Sequence, residues 1–276
     1  MTSADEGARP AQEAARRAYD KMARAQRQFA TPVDEASLRD PLATVDPCGW
    51  LGTSIRGQRL LCLAAGGGRQ SILYAAAGAR VTVVDISAEM LRLDREVAHA
   101  HGLDVNTVQT SMCQMDMLTH ESFDIVIQPV STCYVEDLQQ VYRQVARVIA
   151  AGGIYISQHK SPVSLQAEVR PGARGYALIE PYYRTGPLPP VTGTCLREEG
   201  TLEYLHRWEQ LLGGLCRAGF VIEDLREPNN ADVAGEPGSL GHRSQFIAPY
   251  VRVKGRRLGH SPRLAPLWLP ADSHHA

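Results

Sequence analysis

The stretch Leu60–Ser71, LLCLAAGGGRQS, decides how the chain is read. It opens on an apolar run without a charge, the pattern of a strand buried on both faces. Two alanines and three consecutive glycines follow, then polar residues. Glycine gives up more entropy on folding than any other residue. A glycine run straight after a buried strand therefore marks a turn that special dihedrals or a close approach require.

Outward from this turn, strand and helix patterns alternate. RQSILYAAAGA reads as a helix closing at Gly78, and RVTVVDIS as a second strand rich in β-branched residues. SAEMLRLDREVAHAHGL reads as a helix capped by Ser87 and ending at Gly102. DVNTVQTS and SFDIVIQPV supply a third and a fourth strand. EDLQQVYRQVARVIAAGG is an amphipathic helix with Leu138, Val141, Tyr142, Val145, Val148 and Ile149 on one face, expected to stop at Gly152–Gly153. GIYISQH is a fifth strand. Such alternation predicts an α/β fold, a doubly wound parallel sheet with helices on both faces. Before it, residues 11–29 read as a helix with an apolar stripe of Ala18, Met22, Ala25 and Phe29. After it, residues 161–199 are rich in proline, glycine and tyrosine. TLEYLHRWEQLLGGLCRAGF then predicts a long helix, and VIEDLREP and SQFIAPYVRVKGRR predict two last strands. The organisation expected is an N-terminal helical cap or lid over 1–56, a main domain over 57–256 with an insertion at 161–199, and a tail over 257–276.

Ligands of open α/β sheets bind beyond the carboxyl ends of the strands. The glycine run sits at such an end, and Asp85 ends the second strand, where a carboxylate can accept from both hydroxyls of a ribose. The pair predicts a nucleoside-containing cofactor. A dinucleotide fingerprint fits only with Ser71 in its last glycine position. The segments LCLAAGGG, VTVVDIS, SFDIVI and VARVIAAGGIYIS resemble the class I S-adenosylmethionine-dependent methyltransferases over residues 55 to 160. HRWEQLLGGLCRAGFVIEDLREP is similar to the helix and strand that complete that family's sheet. The resemblance implies a Rossmann-like, seven-stranded, mostly parallel sheet. It implies S-adenosylmethionine as cofactor and S-adenosylhomocysteine as product. It places Ala64, Gly66, Gly68, Asp85, Ile86, Ser111, Met112 and Gln128 at the cofactor. Three positions depart from the family: Cys62 stands for an acid on the first strand, Ala64 for a glycine, and Ser111 for the third-strand acid.

Methyl transfer is an in-line displacement driven largely by positioning and exclusion of water, and it needs a base only if the acceptor carries a proton. The expected catalytic residues are His159, after the fifth strand, and His206. Ser131 and Tyr134 after the fourth strand, Tyr182, Tyr183 and Arg184 in the insertion, and Arg207 are expected at the acceptor. The acceptor is read as a small molecule with an N, O or S nucleophile, with a lean towards a carboxylated one.

With 29 basic and 30 acidic side chains the net charge is -1, which gives no electrostatic ground for nucleic acid or an anionic membrane as partner. No apolar stretch reaches bilayer length, and the N-terminus lacks an apolar signal core. The six cysteines form no C-x-x-C pair, so no metal site or disulfide framework is expected, and the chain reads as cytoplasmic, monomeric or homodimeric. Two other functions fit the glycine loop and Asp85: an NAD-type oxidoreductase, and a catalytically lapsed nucleoside-binding regulator.

Overall fold

The computed structural model describes residues 3–25, 33–194 and 196–259. In chain order the elements are α1 (Ser3–Arg24), α2 (Glu35–Arg39), α3 (Pro41–Val45), β1 (Arg59–Leu63), α4 (Gln70–Ala76), β2 (Arg80–Asp85), α5 (Ala88–Ala100), β3 (Val105–Gln109) and β4 (Phe123–Gln128). A 3-10 turn over Thr132–Tyr134 leads to α6 (Leu138–Val148), β5 (Ile149–Lys160) and α7 (Pro162–Gln166). A π-helical turn (Glu209–Gly213) runs into α8 (Gly214–Arg217), followed by β6 (Phe220–Arg226), α9 (Leu240–Ser244) and β7 (Tyr250–Arg257).

One seven-stranded sheet carries the order β3-β2-β1-β4-β5-β7-β6. The first five strands are mutually parallel, and β7 lies antiparallel between β5 and β6. Residues of β1 alternate between two cores. Leu61 and Leu63 pack with Val141, Tyr142 and Val145 of α6, while Leu60 and Cys62 pack with Tyr74 of α4 and Leu91 of α5. Burial on both faces is why the strand reads as an unbroken apolar run. Helix α5 starts where Ser87 accepts from the Met90 amide at 3.1 Å, and α6 where Asp137 accepts from the Gln139 amide at 2.9 Å.

Two sequence expectations change. Helix α6 ends at Val148, four residues before Gly152. Phe123 pairs with Ile149 and Ile125 with Ile154, so Ala150–Gly153 bulge from β5 opposite Asp124 alone. A Cβ on Gly153 would lie 2.9 Å from the Asp124 carbonyl, which explains the glycine.

The long helix expected from Thr201 begins only at Trp208. Residues 201–207 form no regular element, with the Leu188 amide donating to the Glu203 carbonyl and the Tyr204 amide to the Cys133 carbonyl, both at 2.7 Å. Buried polar partners override helical propensity here: Glu203 and His206 are both taken into the interior. The helix itself opens as a π turn, where Gly214 fits against the Tyr142 ring. The stripe residue Phe29 and the tail from residue 260 lie outside the described residues. No described helix is long and apolar enough to cross a membrane.

Candidate active site

The glycine loop leaves β1 at its carboxyl end. Ala64 adopts φ +50°, a left-handed conformation in which glycine is the unstrained choice, with its amide on the Val84 carbonyl at 2.7 Å. Gly66 is tighter still: a Cβ there would sit 2.7 Å from the Met90 Cβ and 3.0 Å from Asp85 Oδ2. Its amide donates to Asp85 Oδ2 at 3.0 Å, while the Ser87 amide donates to Asp85 Oδ1 at 2.9 Å. Each carboxylate oxygen keeps lone-pair capacity for a further donor. Burial pushes the Asp85 carboxyl up, and the two amide donors only partly counter it.

Behind the loop, the Gly67 and Gly68 amides donate to Asp94 Oδ2 and Oδ1 at 2.9 and 3.1 Å, and the Ser71 hydroxyl donates to the same carboxylate. Asp94 is fully buried, and burial raises its carboxyl to about 6.

In front of the loop opens a cavity of about 480 Å³. One wall is Ala64, Gly66, Asp85, Ile86, Ser111 and Met112, from the ends of β1 and β2 and from the turn after β3. The opposite wall is Ser131, Tyr134, Gln158, Tyr250 and Arg252, from the ends of β4, β5 and β7. Gln12, Ala15 and Tyr19 of α1 and Glu198 close it over. Tyr19 meets Tyr134 edge-on at 5.8 Å between ring centres, and the Ser87 hydroxyl donates to Asp20 Oδ1 at 2.6 Å, which docks α1 on α5.

The methyltransferase domain family model matches residues 61–157, the span from β1 to β5. The YbaJ protein of Bacillus subtilis (strain 168), named an uncharacterized methyltransferase, is 36% identical over 177 residues, 63% of this chain and 69% of that one. The chain belongs to the class I S-adenosylmethionine-dependent methyltransferases. Two solved structures have the same fold. An S-adenosylmethionine-dependent methyltransferase from Mesorhizobium loti superposes with TM-score 0.62 at 22% identity, covering 80% of this chain and all, 100%, of that one. The geranyl diphosphate C-methyltransferase of Streptomyces coelicolor A3(2), solved with Mg2+, geranyl diphosphate and S-adenosyl-L-homocysteine, superposes with TM-score 0.60 at 16% identity, over 90% and 98% of the two chains.

The methyltransferase brings together most of the residues placed at the cofactor by resemblance. Ala64, Gly66, Asp85, Ile86, Ser111 and Met112 share the cavity. Gly68 instead turns to α5, where a Cβ would meet the Val97 side chain at 3.0 Å. Gln128 lies beneath the floor. Its amide nitrogen donates to Ser131 Oγ at 2.8 Å and contacts Met112 Sδ at 3.2 Å, and its carbonyl accepts from the Tyr155 hydroxyl. It braces two lining residues from below.

The two histidines expected to be catalytic do not line the cavity. His159 is 1% exposed, with Nδ1 on the Thr132 hydroxyl at 2.9 Å and Nε2 on the Ser157 hydroxyl at 2.8 Å. Burial, with His206 nearby, lowers it to about 3, so it is neutral at any working pH. His206 spans the Thr132 and Val135 carbonyls at 3.0 and 2.9 Å and fastens the 3-10 turn. Both sit near strand ends, where sequence reasoning looks for catalysis, but both are committed to internal hydrogen bonds.

Of the expected acceptor residues, Ser131 and Tyr134 line the cavity and the other four do not. Arg184 pairs with Glu180 at 2.9 Å, and the Arg207 guanidinium lies 5.1 Å from the centre of the exposed Tyr183 ring. The Tyr182 hydroxyl accepts from the Trp208 amide at 3.4 Å. Lys160, a further cation, is buried between Glu198 at 2.8 Å and Glu203 at 2.5 Å. Burial alone would lower its pKa; the two carboxylates reverse the sign and keep it charged. Burial likewise pushes Glu198 up, but Lys160 more than offsets this and holds it ionised, with the Tyr134 hydroxyl donating to it at 2.5 Å.

Sequence reasoning missed Asp94, Tyr19, Glu198 and Arg252. Asp94 had left a signal: an acid at the spacing of Met90, Leu91 and Ala98, the buried stripe of α5. The others sit in segments whose place over the cavity follows from long-range packing.

Proposed function

We propose that this methyltransferase acts on an N, O or S atom of a small metabolite bearing an anionic group, held at the part of the cavity wall that Arg252 supplies. The observation that carries the reading is Arg252. Its Nε donates to the neutral Gln158 at 2.8 Å, and among the described residues no carboxylate comes within ion-pairing distance of it. One terminal nitrogen lies 4.0 Å from Cys48 Sγ, and a guanidinium that lines a cavity without a counter-charge suits a carboxylate or phosphate. Arg184 and Arg207, expected at the acceptor, and Lys160 are all engaged elsewhere.

The residues present fit the cofactor. Gly66 leaves room for close approach, and Asp85 keeps free lone pairs at the strand end, where it would take ribose hydroxyls. Ser111 and Met112 would flank the base. Bound there, S-adenosylmethionine supplies an electrophilic methyl group. The chain contributes orientation and dryness: α1 with Gln12, Ala15 and Tyr19 covers the cavity, Ser131 and Tyr134 line the acceptor half, and Glu198 accepts hydrogen bonds as a fixed anion. No histidine acts as a base in this scheme; an acceptor proton leaves to water or is absent at working pH.

The test is calorimetric titration with S-adenosylhomocysteine and, in parallel, NADH. The next step is methylation of paired metabolites that carry either a carboxylate or the matching carboxamide. Binding of the sulfur nucleoside alone, and methylation confined to the acids and weakened in Arg252→Gln, is expected. Equal methylation of acids and amides defeats the anionic acceptor; NADH binding defeats the cofactor assignment.

A further inference from the structure

The loop that meets the cofactor is held from outside its own strand. Asp94 on α5 collects three donors, the Gly67 and Gly68 amides and the Ser71 hydroxyl, while fully buried. Among the described residues no cation pairs with it. A buried carboxylate without a counter-charge is costly even when hydrogen-bonded, and an apolar residue at that place on the α5 stripe would cost less. What the carboxylate adds is direction. A trans peptide sets its C=O opposite its N–H. Fixing two successive N–H groups on α5 therefore turns the Gly66 and Gly67 carbonyl oxygens away from that helix. Gly67 and Gly68 stand at φ +120° and +82°, conformations that a free glycine loop holds only as one state among many.

We infer that Asp94 is a positioning residue that presets the glycine loop for the cofactor, and that it is retained for binding at the expense of folding stability. The inference rests on the cofactor reading above, and the experiment separates the two. Asp94→Asn keeps the shape and removes the charge. The expected result is S-adenosylhomocysteine binding weakened about tenfold or more, at a stoichiometry near one, with a melting temperature at neutral pH no lower than the parent's. A packing role would show the reverse: a lower melting temperature, with the folded fraction binding like the parent. That outcome overturns the inference. If Asp94→Asn does not fold, Asp94→Leu, the kind of apolar residue that this place on the stripe would take at less cost, removes both amide acceptors; parental affinity in that variant overturns it too. Hydrogen exchange at Gly67 and Gly68 reads the loop without any ligand. Faster exchange at both amides in the variant is expected, and unchanged protection refutes the positioning role even if the parent binds no sulfur nucleoside and the cofactor reading has failed.

Discussion

Ala64 shows how a single residue records both fold and site. An alanine at φ +50° is strained by about 1 kcal/mol, and strained positions gather where a ligand approaches. Ala64→Gly is expected to raise the urea midpoint slightly; a fall would mean that its methyl group matters more as packing than as strain. Asp85→Ala is expected to weaken S-adenosylhomocysteine binding by roughly 2–4 kcal/mol, the loss of paired hydrogen bonds to a charged group, with unchanged calorimetric affinity in a folded variant as the contrary result. Asp94 gives a pH dependence with a definite sign. Its folded pKa, about 6, lies above the ordinary carboxyl value, so its contribution to stability is full below about pH 4 and is lost as pH rises through 6. Urea midpoints of the ligand-free protein should therefore fall between about pH 4 and 6, by an amount on the order of 3 kcal/mol in all, and Asp94→Asn should flatten the slope. His159 predicts the opposite of catalysis. His159→Ala should cost about 1–3 kcal/mol by stranding the Thr132 and Ser157 hydroxyls, and it should leave the pH profile of methyl transfer unaltered in shape.

At the scale of elements, what the sequence makes legible is what local pattern encodes. The apolar runs of β1, β2 and β4, the Ser87 cap and the α6 stripe all state themselves in periods of two or 3.6. The irregular path of residues 201–207 does not. Its reasons are distant: the Cys133 carbonyl for Tyr204, and Lys160 for Glu203. The same segment holds Tyr134 and Glu198 of the cavity lining in place through Lys160. Glu203→Leu is expected to be strongly destabilising, by about 3–5 kcal/mol, because it leaves Lys160 and Arg197 in the interior with half their counter-charge; chemical denaturation measures it. The half of the site made by β1, β2 and the glycine run was readable because strand ends are fixed by strand order. The half made by α1, Glu198 and Arg252 was not, since it depends on which distant segments fold over the sheet.

For the molecule as a whole, the strand order decides between the cofactors that a glycine loop and an acid could serve. The antiparallel β7 between β5 and β6 leaves no second βαβ half for a dinucleotide, and the matching family and relatives agree. A ligand that binds only the folded chain raises its stability with concentration, by about 2.7 kcal/mol at one hundred times its dissociation constant. S-adenosylhomocysteine should therefore raise the melting temperature progressively and NADH should not.

Helix α1 precedes in sequence the surfaces it docks on, Ser87 near the start of α5 and Tyr134 in the 3-10 turn. During synthesis it leaves the ribosome with nothing to bind and must wait for most of the sheet to assemble. The binding chamber is thus covered by a segment synthesised before the sheet it closes over, so the protein acquires its fold before it acquires its pocket.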